Sequence, residues 1–286
     1  MAAKKSILRR NIPKHWVGNG FHVQTMFSPN HDGNITSPFL LLDYAEAEEF
    51  TATKERRGIG EHPHRGFETV TIVYQGAVDH RDSRGNRGSL KSGDVQWMTA
   101  GKGILHEEWH GEDFAKMGGV FELVQLWVDL PRSDKMTEPR YQDIPAAKIP
   151  IVSISKDVSM RIIAGNYLGH VGPAQTFSPM NVFDIRLGAN SLAQLDMADQ
   201  DTFLVMNVSG TAMIDETQSL NTGELLIFEQ RSFKKVSMHA LTECKLLLLT
   251  GENLNQPIFS KGPFVMTSAE DLHAAFVDYQ AGHFAR

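Results

Sequence analysis

Short apolar runs alternate with clusters of Gly, Asp, Asn and Ser along the whole chain, as in Phe39-Leu40-Leu41-Leu42, Val70-Thr71-Ile72-Val73-Tyr74 and Leu123-Val124-Gln125-Leu126-Trp127-Val128. Runs of this length, rich in β-branched and aromatic residues and bounded by turn formers, predict many short strands and hence a sandwich or barrel. The second half repeats the style in Phe203-Leu204-Val205-Met206-Asn207-Val208, Leu225-Leu226-Ile227-Phe228 and Leu246-Leu247-Leu248-Leu249. Two local echoes preserve the order of elements. Ser89-Leu90-Lys91-Ser92-Gly93-Asp94-Val95 matches Ser219-Leu220-Asn221-Thr222-Gly223-Glu224-Leu225, and Tyr74-Gln75-Gly76 matches Val208-Ser209-Gly210 at nearly the same separation. An internal duplication of one β unit follows.

Prolines 131, 139, 145 and 150 punctuate a polar stretch that suits a linker, and the boundary is set near Glu138, giving domains 1–138 and 139–286. Near the C-terminus, Thr267-Ser268-Ala269-Glu270 has the spacing of a capping box, and Leu272, Ala275, Phe276 and Tyr279 recur at helical intervals before Gly282. This predicts an amphipathic helix that packs across a barrel and has no catalytic role.

Composition narrows the function classes. A length of 286 residues with 41% hydrophobic and 22% charged residues provides a substantial folded core. The formal charge of -6 disfavours direct nucleic-acid binding, which depends on lysine and arginine neutralising phosphates. The basic group Lys4, Lys5, Arg9 and Arg10 is read as a solvated face rather than a targeting arm. With no apolar signal region and no run long enough to span a bilayer, the expected setting is the cytoplasm, away from membranes, and the chain is read as a monomer. The single cysteine, Cys244, precedes an apolar run and reads as a packed strand residue, so any metal must use histidine and carboxylate ligands.

Of the 12 histidines, His62 and His64 stand at alternate positions, which on a strand directs both imidazoles to one face. Glu68 shares their parity. A second cluster, Gly101-Lys102-Gly103-Ile104-Leu105-His106-Glu107-Glu108, puts His106 and Glu108 on one face after a glycine-rich turn. His80 and His110 are alternatives, with His110 expected at the surface. Neutral imidazoles and carboxylates suit iron(II), manganese, nickel, cobalt, copper or zinc. Arg65 and Gln96 could tune ligand orientation, although surface packing for Arg65 and ordinary strand hydrogen bonding for Gln96 are the plainer readings. In the second half, the positions aligned with the His62 motif fall in Gln194-Leu195-Asp196-Met197-Ala198-Asp199, which has no histidine, so no second metal site is expected. His239 reads as an isolated strand or loop histidine.

The run His62-Pro63-His64-Arg65-Gly66-Phe67-Glu68-Thr69-Val70-Thr71 resembles the signature of the pirin family. Gly93 to His106 and Gln125-Leu126-Trp127-Val128-Asp129-Leu130-Pro131 resemble two further signatures, and Ser37 to Tyr44 and Gly262 to Met266 extend the likeness through most of the chain. The resemblance implies an all-β bicupin with two antiparallel barrels facing each other, metal in the N-terminal one only, and a C-terminal helix. It implies His62, His64, His106 and Glu108 as ligands of one ion, iron(II) foremost. Thr99-Ala100-Gly101 departs from the general cupin motif, which has a proline-containing turn there, and the general pattern would take Glu68 as the carboxylate. Bacterial proteins resembling pirin open the flavonol quercetin with O2, releasing carbon monoxide and a depside, and this implies a dioxygenase with Glu108 as the catalytic base. The resemblance also implies an alternative, a redox-sensing iron protein that acts by binding protein partners.

Overall fold

The structure, a computed structural model, describes residues 6–197, 201–229 and 235–284. Lys4, Lys5, Ala198 and Asp199 therefore lie outside the described residues. Contacts group the chain into two units, each discontinuous in sequence. One comprises Pro13–Asn34, Phe39–Ala146 and Leu254–Arg286, and the other Met1–Ile12, Ile35–Pro38 and Ala147–Asn253. They are called here the first and second barrels.

In the first barrel a seven-stranded antiparallel sheet runs in the spatial order Arg140–Ile144, Val95–Thr99, Phe67–Gln75, Gly119–Asp129, Phe39–Phe50, Phe21–Phe27 and His15–Val17. A four-stranded sheet, Gly58–His64, Ile104–His110, Ala77–Asp82 and Arg87–Lys91, completes it. Val78 and Leu90 from the small sheet pack against Phe21, Val73, Phe121 and Leu123 from the large one. Alternation of side chains along each strand provides the apolar inner face that this packing needs.

The second barrel repeats the plan strand for strand. Its large sheet runs Ser6–Arg9, Glu224–Phe228, Thr202–Ser209, Cys244–Gly251, Met180–Leu187, Val158–Ala164 and Ile151–Ser155. Its small sheet runs Leu192–Asp196, Lys235–Ala240, Thr211–Ile214 and Gln218–Asn221. The echoed segments occupy matching turns. Gly76 and Gly210, at φ +84° and +86°, each turn the chain out of the large sheet, and Gly93 and Gly223, at +89° and +74°, return it. Left-handed backbone favours glycine at all four positions. The duplicated all-β architecture with a C-terminal helix is thus present.

That helix, Ala269–Gln280, begins one residue away from the expected box. Ser268 is the N-cap, its hydroxyl accepting from Asp271 N at 3.0 Å, so the pair is Ser268 and Asp271 rather than Thr267 and Glu270. Ala275, Leu272 and Phe276 pack with Phe264, Phe284 and Leu105, and the helix belongs to the first barrel. Cys244 is a buried strand residue. Among the described residues no helix is long and apolar enough to cross a membrane.

Candidate metal centre

The strands Gly58–His64 and Ile104–His110 pair antiparallel with His106 opposite His62 and Ile104 opposite His64. Opposed residues in such a pair point to one face, so this register brings three imidazoles together inside the first barrel. A bulge between His106 and Glu108 shifts the pairing so that Glu108 lies opposite Ile59. Bulges of this kind re-aim side chains beside functional sites. Ring centroids are 4.8 Å apart for His62 and His64, 4.3 Å for His62 and His106, and 4.9 Å for His64 and His106. One nitrogen from each ring lies within 4.8 Å of the others.

The chemistry of the three rings is that of ligands rather than core histidines. Burial lowers all three pKa values, most strongly at His64 and His106, and proximity to His62 adds to the effect at both. Each is therefore neutral near pH 7, the form that binds metal. His62 Nδ1 lies 2.9 Å from the Gly60 carbonyl, which fixes the proton there and leaves Nε2 as a lone-pair donor. His106 is 1% exposed, yet neither of its ring nitrogens has a hydrogen-bond partner. Buried polar atoms are nearly always paired, and an ion held by the three rings would satisfy this one.

Glu108 lines the same cavity as His62 and His64. Its carboxylate oxygens lie outside the group of mutually close ligand atoms, which holds the three histidines. Burial raises its pKa to about 7, and the Thr71 hydroxyl, 3.5 Å from Oε1, opposes the shift only weakly. A cation nearby would favour the ionised form.

The other candidates have different surroundings. Glu68 is fully buried and accepts from Thr99 Oγ1 at 2.7 Å. Its apparent parity with His64 does not survive Gly66, whose φ of +88° breaks the chain between their two strands, and on Phe67–Gln75 it lies three residues from Thr71, hence on the opposite face from that cavity residue. His80 stacks on Tyr141 and contacts Gln96. His110, expected at the surface, is buried among Phe21, Phe50, Phe114 and Phe121 with Nε2 2.8 Å from the Gly20 carbonyl. Strand parity with His106 puts it on the inner face, where only a packed ring fits. Arg65 is also buried rather than at the surface. It donates to the Lys102 carbonyl at 2.6 Å and to Asp278 at 2.7 Å, and its guanidinium lies 4.5 Å from the Phe284 ring centroid. No local pattern marks this environment, because Asp278 and Phe284 are more than 200 residues away.

The cavity beside the imidazoles has a volume of about 120 Å³. Its walls include Phe21, Ile59, Leu123 and Trp127, with Asp43, Thr71 and Gln125 as polar members. Pattern reading found the histidines but missed Asp43 and Gln125. A single polar residue inside an apolar run was the one signal at Gln125.

Comparison with known proteins agrees with this geometry. The pirin family model matches residues 20–128, and the model of the pirin C-terminal cupin domain matches residues 182–285. A Pseudomonas aeruginosa protein provisionally named quercetin 2,3-dioxygenase is 47% identical over 277 residues, 96% of each chain. A pirin-like protein from Caulobacter vibrioides is 34% identical, covering 88% of this chain and 89% of its own. The crystal structure of a quercetin 2,3-dioxygenase from Acinetobacter baumannii superposes with a TM-score of 0.96 at 45% identity over 99% of both chains. An Escherichia coli bacterial pirin in complex with nickel(II) shares the fold, with a TM-score of 0.65 at 21% identity over 87% of this chain and 100% of its own. Two matching barrels, a histidine cluster that among the described residues lies in the first alone, and family matches across both halves have one reading: the chain belongs to the pirin family.

Proposed function

We propose that this protein is a mononuclear metal-dependent dioxygenase that cleaves flavonol-type substrates such as quercetin with O2. His62, His64, His106 and Glu108 are the proposed ligands of one divalent ion, with iron(II) as the working metal. The observation that carries the reading is the trio of neutral imidazoles, two buried and one half-buried, with nitrogens within 4.8 Å, one ring having no other partner. Iron(II) held there would supply Lewis acidity and one-electron redox chemistry. The chain supplies the rest. The walls formed by Phe21, Leu123 and Trp127 exclude water from the reacting carbons. Glu108 takes the proton of the substrate hydroxyl at a carboxylate oxygen, a role its raised pKa and cavity position suit.

The test is O2 uptake with flavonol bleaching, using protein loaded anaerobically with iron(II) and mixed with quercetin, beside a His62→Ala control. Stoichiometric loss of both reactants, abolished in the control, is the expected result. Glu108→Gln should retain metal and lose turnover by about 10²-fold or more. If that variant turns over at the unmodified rate with metal bound, the base assignment is wrong.

One contact favours a second reading, metal-linked binding of a protein partner. Arg65 follows His64 directly and reaches Asp278 and Phe284, so a change at the imidazoles has a short route to the surface of the C-terminal helix region. Partner capture that is the same for ferrous, ferric and metal-free protein would remove this reading. No O2 uptake despite verified iron binding would favour it.

A further inference from the structure

An unbroken polar row crosses the inner face of the first barrel's large sheet. Thr25 pairs with Asp43, Asp43 with Gln125, Gln125 with Thr71, Thr71 with Gln96, and Gln96 with Asp143. Along the strands the row is flanked by apolar side chains, with Leu123 and Trp127 on either side of Gln125. Hydrogen bonds knit it together. Thr25 Oγ1 donates to Asp43 Oδ1 at 2.5 Å, Thr71 Oγ1 to Gln125 Oε1 at 2.8 Å, and Gln96 Nε2 to Asp143 Oδ1 at 3.3 Å.

The fold does not require this row. With the Gly76 and Gly210 turns aligned, the same positions in the second barrel are Ile162, Phe183, Leu248, Val205, Leu226 and Leu8, paired in the same order. Five of them belong to that barrel's hydrophobic core, and the sixth, Leu8, is partly buried and packs against it. Polar groups set inside a barrel bury less favourably than apolar ones, so their presence in one copy and absence in the other points to something they contact. Asp43, Thr71 and Gln125 line the cavity that also holds His62, His64 and Glu108. Thr71 uses Gln125 Oε1, and among the described residues Gln125 Nε2 and Asp43 Oδ2 have no hydrogen-bond partner.

Size sets a second limit. An apolar cavity of about 150 Å³ accommodates benzene. At about 120 Å³, this one encloses a single ring at most, and a three-ring flavonol must leave much of itself outside.

We propose that the polar row reads the substrate: Gln125, with Asp43 beside it, engages a second oxygen group of a compact molecule whose first oxygen group lies at the imidazoles. The substrate class is a one-ring or comparably small acyclic hydroxyketone with a further hydroxyl or carbonyl across the molecule. This rests on the metal-centre reading and narrows its substrate, flavonols being taken only with part of the molecule in the cavity mouth.

The test is anaerobic calorimetry on protein loaded with nickel(II), using three probes. Two are 5-hydroxy-4-pyranones that differ only at carbon 2, one with hydroxymethyl and one with methyl, and the third is quercetin. The hydroxymethyl compound should bind at least about tenfold more tightly than the methyl compound, as a hydrogen bond to a buried polar group warrants. It should also bind more tightly than quercetin. Gln125→Leu, which copies Leu248 of the second barrel, should bring the ratio near one at unchanged nickel content. Equal affinities in the unmodified protein, or a ratio that survives Gln125→Leu, overturns the proposal. Tighter binding of quercetin than of either pyranone overturns the compact-substrate claim and leaves the metal-centre reading standing. Binding of none of the three to the nickel-loaded protein overturns both.

Discussion

The two barrels have the same strand order and the same glycine turns, and they differ in what fills them. Cross-strand pairing aligns His62 with Leu195, His106 with Val236, Glu108 with Met238 and His80 with Ile214. The four residues of the second barrel are all fully buried in its core. One copy is therefore packed for stability, and the other carries polar groups inside a barrel that stability alone would fill with hydrocarbon. Within one chain, the second barrel serves as the control that separates what the fold needs from what the chemistry needs.

The largest expected effect comes from making the first barrel resemble the second. His106→Val should abolish metal-dependent O2 uptake, by about 10³-fold or more, since loss of one ligand removes the ion on which the chemistry depends. In metal-free protein the same change should raise stability by about 1–3 kcal/mol, because two unpaired buried ring nitrogens disappear. Denaturant unfolding of both metal-free proteins checks this, and equal or lower stability of the variant would mean that the imidazole is satisfied in some other way.

The converse substitution tests the core. Met238→Ala should cost about 2–5 kcal/mol in unfolding free energy, as for other buried large-to-small changes. Activity per folded molecule should be unchanged. A loss of metal from this variant would show that the second barrel takes part in ligation.

Glu68 provides a pH signature. It is a buried carboxyl whose pKa burial raises to about 7, at a position where the second barrel has Thr202. The folded state then keeps a proton that the unfolded chain releases near pH 4.5. The contribution to stability is full below that pH and is lost as pH rises toward 7. At about 1.4 kcal/mol per unit, the fall is on the order of 2–3 kcal/mol. Glu68→Gln should remove this share of the fall in metal-free protein and leave the similar share of Glu108, as read from unfolding midpoints between pH 4.5 and 7. A fall of unchanged size in the variant would assign it elsewhere.

The smallest effect compares the two matching turns. An added Cβ at Gly210 would lie 2.1 Å from the Glu243 carbonyl oxygen, and at Gly76 2.7 Å from a Phe121 ring carbon. Backbone cannot move aside as a ring can, so Gly210→Ala should destabilise more than Gly76→Ala. Each costs on the order of 1–3 kcal/mol from left-handed strain, and the difference should be about 1 kcal/mol. Equal thermal shifts would count against the contact argument.

These contrasts also explain what could be read from the chain alone. The echoes around Gly76 and Gly210 exposed the duplication because turns are local and their glycines are needed for φ. His62, His64 and His106 were legible because alternation along a strand places side chains by parity. Parity failed where the strand breaks, as at Gly66 before Glu68, and where the inner face is a packed core, as at His110. The strand Arg140–Ile144 lies beyond Glu138 yet pairs with Val95–Thr99 in the first barrel. The prolines around it mask that strand. The polar row was out of reach because its members come from six separate strands, and only register brings them into line. Arg65 and the C-terminal residues meet for the same non-local reason.

The most direct test of the central claim is the metal content of the chain. Protein dialysed anaerobically against iron(II), freed of excess ion and analysed for elements should hold one ion per chain, and His106→Val none. An unmodified protein that retains no metal, or a variant that still holds one ion, would contradict the account.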